Sequence, residues 1–381
     1  KASNGLIQDK AIRAAEAEGV QLEVAAMGAA EATRVLPGPA VIGAPRAARR
    51  RRAALLGCGA VGSGVLDHVR HRRDLFALNP VLVRQASARA GDRRAAFTSQ
   101  PAEALAAGPD LVVEMMGGAD EPAALMADAL EAGVHVVTAN KAAVAKHFDR
   151  LQAAARRGGA HLAYSAAVGG GAPMIETVRR LRPAGVSAVE GVMNGTANFI
   201  LSKLGEGVAF QEALAEAQRL GFAEADPSAD VDGHDAADKL SILIREAFDA
   251  AVPPERIAKM SLSQITPDMC AAAAAEGKVY KQIARARRVA GGAVDAEVVI
   301  EPVALSHAFA GARNEQNRAL VTDASGRVHA VYGKGAGRWP TAAAVFADMM
   351  DIHRACACDA AKAKAPAGAQ ADPSRARLQR A

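Results

Sequence analysis

Aromatic side chains are scarce: one Trp, three Tyr and nine Phe, together 3% of 381 residues. Half the residues are nevertheless apolar, so the core must be built from Ala, Val and Leu, and the length suffices for two domains. Cysteine is sparse as well. Cys58, Cys270, Cys356 and Cys358 are too few for a disulfide framework in a chain of this size. Cys356 and Cys358, two cysteines without histidine or acid partners, make a poor zinc site. No run of 18 apolar residues and no secretory signal occurs, so the expectation is a soluble, cytoplasmic protein with no membrane partner. The formal charge is +5, but the basic excess sits in residues 1–52 and 353–381, and the body between them is slightly acidic. The charge therefore does not argue for nucleic acid as a partner.

Residues 1–52 form an N-terminal extension without an assigned role. Ile7 to Gly19 reads as a helix and Val20 to Ala26 as a strand, before a Pro/Gly-rich connection from Leu36 to Pro45. The Arg49–Arg52 run reads as a solvated linker, or else as an electrostatic tether to an acidic partner. At Ala53 the pattern sharpens. A short apolar strand runs into G-C-G-A-V-G, and a helical pattern continues through Val65, Leu66 and Val69. In this order the three pieces suit a dinucleotide, because glycines let a pyrophosphate approach the backbone N–H groups of a helix N-terminus. Gly57, Cys58, Gly59, Ala60, Val61 and Gly62 are thus cofactor-binding candidates, with Cys58 a small filler rather than a nucleophile. The next strand, Pro80 to Arg84, ends without the acid that would take a ribose 2′-hydroxyl. Arg84 stands there and could meet a 2′-phosphate, which predicts NADP(H) over NAD(H). The bland reading is an exposed arginine in a loop that also holds Arg89, Arg93 and Arg94.

Strands over Asp110–Met116 and His135–Thr138, with a helix over Glu121–Ala132 between them, continue the alternation. The expected fold class is α/β, with a Rossmann-type, doubly wound parallel sheet whose ligands bind at the carboxyl ends of the strands. Asn140 and Lys141 fall at such an end. The next strand enters Gly169-Gly170-Gly171, a loop suited to a hinge or to carbonyl ligation of an ion. Downstream, Met174–Leu181 reads as a helix, Ser187–Met193 as a strand, Ala293–Ala304 and Val328–Tyr332 as strands, and Ala342–Asp351 as a final helix. Ile257–Ser261 and Tyr280–Ala290 stay open between helix and strand, and residues 353–381 read as a disordered tail.

The stretch F-A-E-A-D-P-S-A-D-V-D-G-H-D-A-A-D-K, Phe222 to Lys239, concentrates ionisable groups just ahead of an amphipathic helix. Leu240, Leu243, Ile244, Ala247 and Phe248 repeat at helical spacing, so the helix starts near Gly233, with Asp232 as its cap. Asp235 and Lys239 then stand one turn apart on one face. Asp226-Pro227 is a turn that folds Glu224 and Asp230 back toward that face. By itself the pattern also fits a solvated helix entry with an ordinary surface pair.

Seven segments in order change the balance: L-G-C-G-A-V-G-S-G-V, E-M-M-G-G, V-T-A-N-K-A, V-G-G-G-A-P-M-I, M-N-G-T-A-N-F-I-L, A-D-P-S-A-D-V-D-G-H-D-A-A-D-K-L and G-K-G-A-G-R-W-P-T-A-A-A-V. Across residues 53–352 the chain resembles the homoserine dehydrogenase family. The resemblance implies NAD(P)H-dependent reduction of L-aspartate 4-semialdehyde to L-homoserine, a step toward threonine and methionine. It also implies a Rossmann domain over 53–165 and a second, α+β mixed-sheet domain over 166–330 for catalysis and homodimerisation. Residues 331–352 would return to the nucleotide domain. On the matching positions, Lys239 is the implied catalytic lysine and Asp235 its partner. Glu224 is implied to bind the substrate amine, with Asp230 as a second carboxylate, and Lys141 to lie near cofactor and substrate. Gly335 and Gly337 fall in the loop that closes on the nicotinamide. Lys141 could also be the second cation that lowers the pKa of Lys239.

Three departures stand out. Ser165 replaces the glutamate associated with a monovalent-cation site, so the carbonyls of Val168, Gly170 and Ala172 would hold such an ion only weakly. Asp238 precedes the catalytic lysine where a basic or neutral residue is common. No ACT-type regulatory domain is expected in residues 353–381. The second reading is a catalytically silent NADP-binding paralogue acting as a regulatory or scaffold subunit.

Overall fold

In the computed structural model, residues 50–356 are described in full, and residues 22–24, 33–35 and 357–362 as backbone. Lys1–Arg49 and Arg50–Ala381 form separate units. In the first, strands Leu22–Val24 and Thr33–Val35 pair antiparallel. The former lies inside the strand expected over Val20–Ala26, whereas the helix expected over Ile7–Gly19 lies outside the described residues.

The second unit opens with β1, Arg51–Leu56. Arg51 and Arg52 are therefore strand residues and not linker. The Arg51 N–H donates to the Leu75 carbonyl at 2.8 Å and the Arg52 N–H to Asp110 Oδ2 at 2.9 Å. A run of like charges says nothing of the backbone, and here the ladder outweighs the repulsion. After β1 come α1 (Ala60–His71), β2 (Phe76–Leu78), β3 (Val81–Leu82), β4 (Phe97–Thr98) and β5 (Leu111–Glu114). Then follow α2 (Asp120–Glu131), β6 (His135–Thr138), α3 (Lys141–Gly158) and β7 (Leu162–Ala163). All these strands pair parallel, in the order β4-β3-β1-β5-β6-β7, with β2 also on β1. That order reverses between β1 and β5, and it is the doubly wound arrangement whose crevice takes a dinucleotide.

The second sheet is built from β8 (Val186–Val192), β9 (Ala258–Lys259), β10 (Lys278–Arg288), β11 (Val294–Ala304), β12 (Gln316–Asp323) and β13 (Val328–Lys334). Its order is β9-β11-β10-β8-β12-β13, antiparallel except for β9 on β11. Tyr280–Ala290 thus resolves as strand. Its alternate residues Ala284 and Ala286 meet the helical layer while Arg285 and Arg287 point the other way. The helices of this part are α4 (Met174–Leu181), α5 (Gly195–Gly205), α6 (Phe210–Arg219), a single helical turn at Ser228–Val231, α7 (His234–Phe248) and α8 (Pro267–Ala275). Apart from Tyr164, Phe76 and Phe309, the largest fully buried side chains are aliphatic or Met, as the scarcity of aromatics requires.

The last helix, α9, spans Arg338–Lys362, longer at both ends than expected and running into the segment read as a disordered tail. Its apolar face explains the extension: Ala342, Val345, Met349 and Ile352 are buried against the first sheet beside Leu66 and Phe76. His353 continues that face, edge-on to Phe76 with ring centroids 5.7 Å apart. Composition alone does not reveal that a stripe of this kind has a partner sheet.

Candidate active site

The glycine loop joins β1 to α1 at the crevice. Gly57 has φ +101°, and a Cβ on it would sit 2.6 Å from the Met115 carbonyl oxygen. A Cβ on Gly62 would come within 2.3 Å of the Gly57 carbonyl oxygen. Both positions are closed to any side chain, so the turn can stay tight only with glycine. The start of α1 has Gly59 at its cap, no side-chain cap and no acid in its first turn, which leaves its N–H groups and positive dipole end for an anion. A cavity of about 550 Å³ opens there, lined by Gly57, Cys58, Gly59, Arg84 and Arg89 among others. Arg84 is exposed at its rim. Arg89 donates to the Cys58 carbonyl at 2.6 Å and lies over the Phe97 ring, a wall residue that sequence reading passed over as one of several loop arginines. Cys58 is buried, and burial pushes its thiol up, opposite to what a nucleophile needs. The donor set, the glycine cradle and the cavity fit a pyrophosphate-containing dinucleotide.

A second cluster forms where α3, β8 and α7 converge. Asp235, in the first turn of α7, is bridged between two cations: Lys239 Nζ lies 2.7 Å from its Oδ2 and Lys141 Nζ 3.0 Å from its Oδ1. Lys239 Nζ also donates to the Met193 carbonyl at 2.7 Å. Burial by itself would push the Asp235 carboxyl up, but Lys239 and Lys141 outweigh it and hold it well below the usual range. In turn Asp235 raises Lys141 above the ordinary lysine value, with burial opposing. The two lysines therefore do not face each other as a bare cation pair; a carboxylate separates them. Asp238 lies within reach of Lys141's field, its own carboxyl raised by burial.

Two asparagines, neither given a role by the sequence alone, hold these groups in place. Asn194 caps α5, its Oδ1 accepting from the Ala197 N–H at 2.8 Å. Its Nδ2 donates to Asp230 Oδ1 at 2.6 Å and to Asp235 Oδ2 at 2.9 Å. Asn140 caps α3 in the same way, accepting from the Ala143 N–H at 3.0 Å, and so aims Lys141, the first residue of that helix. Beneath it, buried Glu114 accepts from the Thr138 hydroxyl at 2.5 Å and the Met116 N–H at 2.6 Å. The readable signal was an Asn three residues before a helical N–H, the N-cap spacing. Asp232 does not cap α7; Gly233 takes that place without a side-chain bond, because Asp232 closes the short helix Ser228–Val231 as its C-cap.

Glu224 is exposed, its carbonyl held by Gln218 at 3.0 Å, and among the described residues its carboxylate makes no hydrogen bond or ion pair with the cluster. Gly335 and Gly337 lie between β13 and α9. The Gly335 N–H donates to the Glu315 carbonyl at 2.6 Å, and the Lys334 carbonyl accepts from the Gly171 N–H at 2.9 Å. The two glycine loops are thus tied to each other. The Val168–Ala172 loop is partly committed internally: the Gly169 carbonyl accepts from Ala172 N–H, and the Ala172 carbonyl from Met174 N–H at 2.7 Å.

Ser165 supplies no carboxylate, but α9 brings one. The Ser165 N–H donates to Asp348 Oδ2 at 2.9 Å, and burial raises the Asp348 carboxyl to about 6 although the Ser165 bonds work against the shift. An acid whose pKa is higher folded than unfolded favours the folded state below its unfolded pKa and loses that contribution as pH rises through the folded value. Between about pH 4 and 6 this amounts to roughly 2–3 kcal/mol. Asp348→Asn should therefore raise the thermal midpoint relative to the parent at pH 7.5 and change it little at pH 4. A variant less stable than the parent at pH 7.5 would refute this account.

The fold and these two clusters define a nicotinamide-dependent oxidoreductase with a Rossmann domain and a mixed-sheet second domain. Family models agree: "Homoserine dehydrogenase, NAD binding domain" matches residues 57–165 and "Homoserine dehydrogenase" residues 173–350. A homoserine dehydrogenase of Synechocystis sp. is 38% identical over 316 residues, covering 78% of this chain and 72% of the relative. An NAD(+)-dependent homoserine dehydrogenase of Pseudomonas canavaninivorans is 36% identical, covering 59% of this chain and 64% of the relative. The crystal structure of a homoserine dehydrogenase from Thiobacillus denitrificans superposes with a TM-score of 0.77 at 35% identity, over 82% of this chain and 75% of that one. The chain belongs to the homoserine dehydrogenase family. Among the described residues no helix is long and apolar enough to cross a membrane.

Proposed function

We propose that the protein reduces L-aspartate 4-semialdehyde to L-homoserine with NADPH, with Lys239 as the proton donor. The observation that carries the assignment is the Lys141–Asp235–Lys239 bridge, whose Lys141 follows Asn140 at the carboxyl end of a strand of the nucleotide sheet. When bound, the nicotinamide supplies the hydride. As charge develops on the aldehyde oxygen, Lys239 delivers a proton from a position set by Asp235 and the Met193 carbonyl. Lys141 adds positive charge from the other side of Asp235. Asp230, steadied by Asn194, and Glu224 are the carboxylates for the substrate ammonium. Burial raises the Asp230 carboxyl, and a bound ammonium would favour its ionised form. The intact bridge supports an active enzyme over a silent scaffold. Steady-state oxidation of NADPH by aspartate semialdehyde tests the reading, and a folded protein without turnover would sink it.

The choice of NADP(H) rests on Arg84 at the cavity rim, with Arg89 beside it. The Pseudomonas canavaninivorans relative is named NAD(+)-dependent, so the family accommodates either cofactor. Arg84→Asp should flatten or reverse the preference; equal kcat/KM for both cofactors in the parent would overturn it. The carbonyls of Val168, Gly170 and Ala172 are proposed to bind a monovalent cation weakly. Activity should respond little to sodium or potassium at constant ionic strength, and a strong, saturable sodium activation would contradict this. Homodimerisation is proposed through the face of the second sheet away from its helices. There Arg285 pairs with Glu297 and Glu301 beside Glu190, a self-complementary charge pattern. Light scattering at micromolar concentration reads the mass directly.

A further inference from the structure

The far end of β6 from Lys141 carries a group of residues that the catalytic reading does not use. His135 opens that strand, His161 precedes β7, and Cys356 lies on α9. One donor atom from each of the three lies within 4.8 Å of the other two. Cys356 Sγ is 3.1 Å from His135 Nε2, and the two imidazole centroids are 5.1 Å apart. His135 and Cys356 are half-buried and His161 is exposed, so the group opens to solvent on one side. The sequence suggested a cysteine without histidine partners; the fold brings two imidazoles to it from remote positions.

We propose that His135, His161 and Cys356 form a binding site for a divalent transition metal of the zinc type, which would staple the end of α9 to the edge of the Rossmann sheet. Two imidazoles and a thiolate select zinc-like ions over magnesium or calcium, which prefer oxygen. Bonds of about 2.0–2.1 Å to nitrogen and about 2.3 Å to sulfur place tetrahedral donors roughly 3.3–3.7 Å apart. The donor atoms, all within 4.8 Å of one another, must close by roughly 1 Å to reach that spacing. Burial, with His161 and Arg51 adding to it, holds His135 below the usual imidazole range. The His161 N–H donates to His135 Nδ1 at 3.0 Å, which without metal leaves the ring proton on Nε2, facing the sulfur. Metal on Nε2 requires that proton to move to Nδ1 and the thiol proton to leave to solvent, so binding competes with the bond from the His161 backbone N–H. Three protein ligands leave the fourth position for a water molecule.

The test needs no enzyme activity and is therefore independent of the proposed reaction. Tag-free, full-length protein stripped with a chelator is titrated with Co²⁺ alone, and then with Zn²⁺. The expected result is a thiolate-to-cobalt charge-transfer band saturating at one equivalent, displaced by Zn²⁺, with a rise in thermal midpoint on Zn²⁺ addition. Cys356→Ser should lose the band. His161→Ala, which truncates an exposed side chain and leaves the backbone ladder in place, should weaken binding at least about tenfold. Absence of a saturable band at micromolar Co²⁺ would overturn the proposal, and so would equal affinity in the parent and His161→Ala.

Discussion

Lys239→Ala should lower kcat by about 10²–10⁴-fold, the usual contribution of a positioned acid–base group, while NADPH binding followed by fluorescence stays near the parent value. Lys239 stands outside the glycine-loop cavity, on α7, so its loss should remove the proposed proton donor without touching the glycine loop. The lysine is also well enclosed, with a side chain 13% exposed, and donates to both Asp235 and the Met193 carbonyl. Part of any loss could therefore come from a disturbed α7. Lys239→Arg separates the two: it keeps the charge and the tie to Asp235 but holds its proton too tightly to donate it near neutral pH. A fold intact by circular dichroism with turnover still absent in Lys239→Arg assigns the loss to proton transfer. A reduction of less than about fivefold in Lys239→Ala would leave the lysine a structural partner of Asp235.

The second large effect is expected at Asp235. This carboxylate is buried and compensated by two ammonium groups, and removing one member of a buried ionic group typically costs about 3–5 kcal/mol because the remaining charges lose their counterion. Asp235→Ala should therefore lower both stability and activity, and leave Lys141 and Lys239 repelling each other. Asp235→Asn keeps the shape and removes only the charge. Because Asp235 is what raises Lys141, Lys141 should titrate at lower pH in the asparagine variant than in the parent, read by NMR of the lysine ammonium groups. The sign for stability runs the other way. Asp235 has a lower pKa folded than unfolded, so its contribution is complete above the unfolded carboxylate value and fades as pH falls below it. The stability difference between parent and Asp235→Ala, measured by urea unfolding, should shrink as the solution is acidified from pH 7 toward 3. A difference that does not change with pH would mean that packing, not charge, holds Asp235.

Much of the fold was legible because local physics and tertiary structure agree there. Gly62 is imposed by the Gly57 carbonyl five residues earlier and Gly57 by its positive φ, so the spacing appears in the chain itself, although Met115 from a remote strand closes the position at Gly57 too. The Asp235–Lys239 pair is one helical turn apart and survives as a contact for the same reason. Elsewhere the deciding partner is far away in sequence. The second arm of the Asp235 bridge comes from Lys141, and Asn194 joins Asp230 to Asp235 across two further elements. The segment after residue 352 reads as disordered by composition, yet its backbone is helical to Lys362, because Ile352 and His353 have somewhere to pack.

By itself the sequence determined the parallel Rossmann alternation, the nucleotide loop, the helix that carries Lys239, and membership of the family. Each depends on periodicity or on residue types at fixed short spacing, which a chain displays before it folds. Only the tertiary structure decided that Asp235 separates the two lysines, that Asp348 brings a carboxylate to Ser165, and that His135, His161 and Cys356 meet at the edge of the sheet. Those arrangements depend on which remote backbones pack together, and packing places side chains by shape and burial across distances in sequence over which local patterns carry no information.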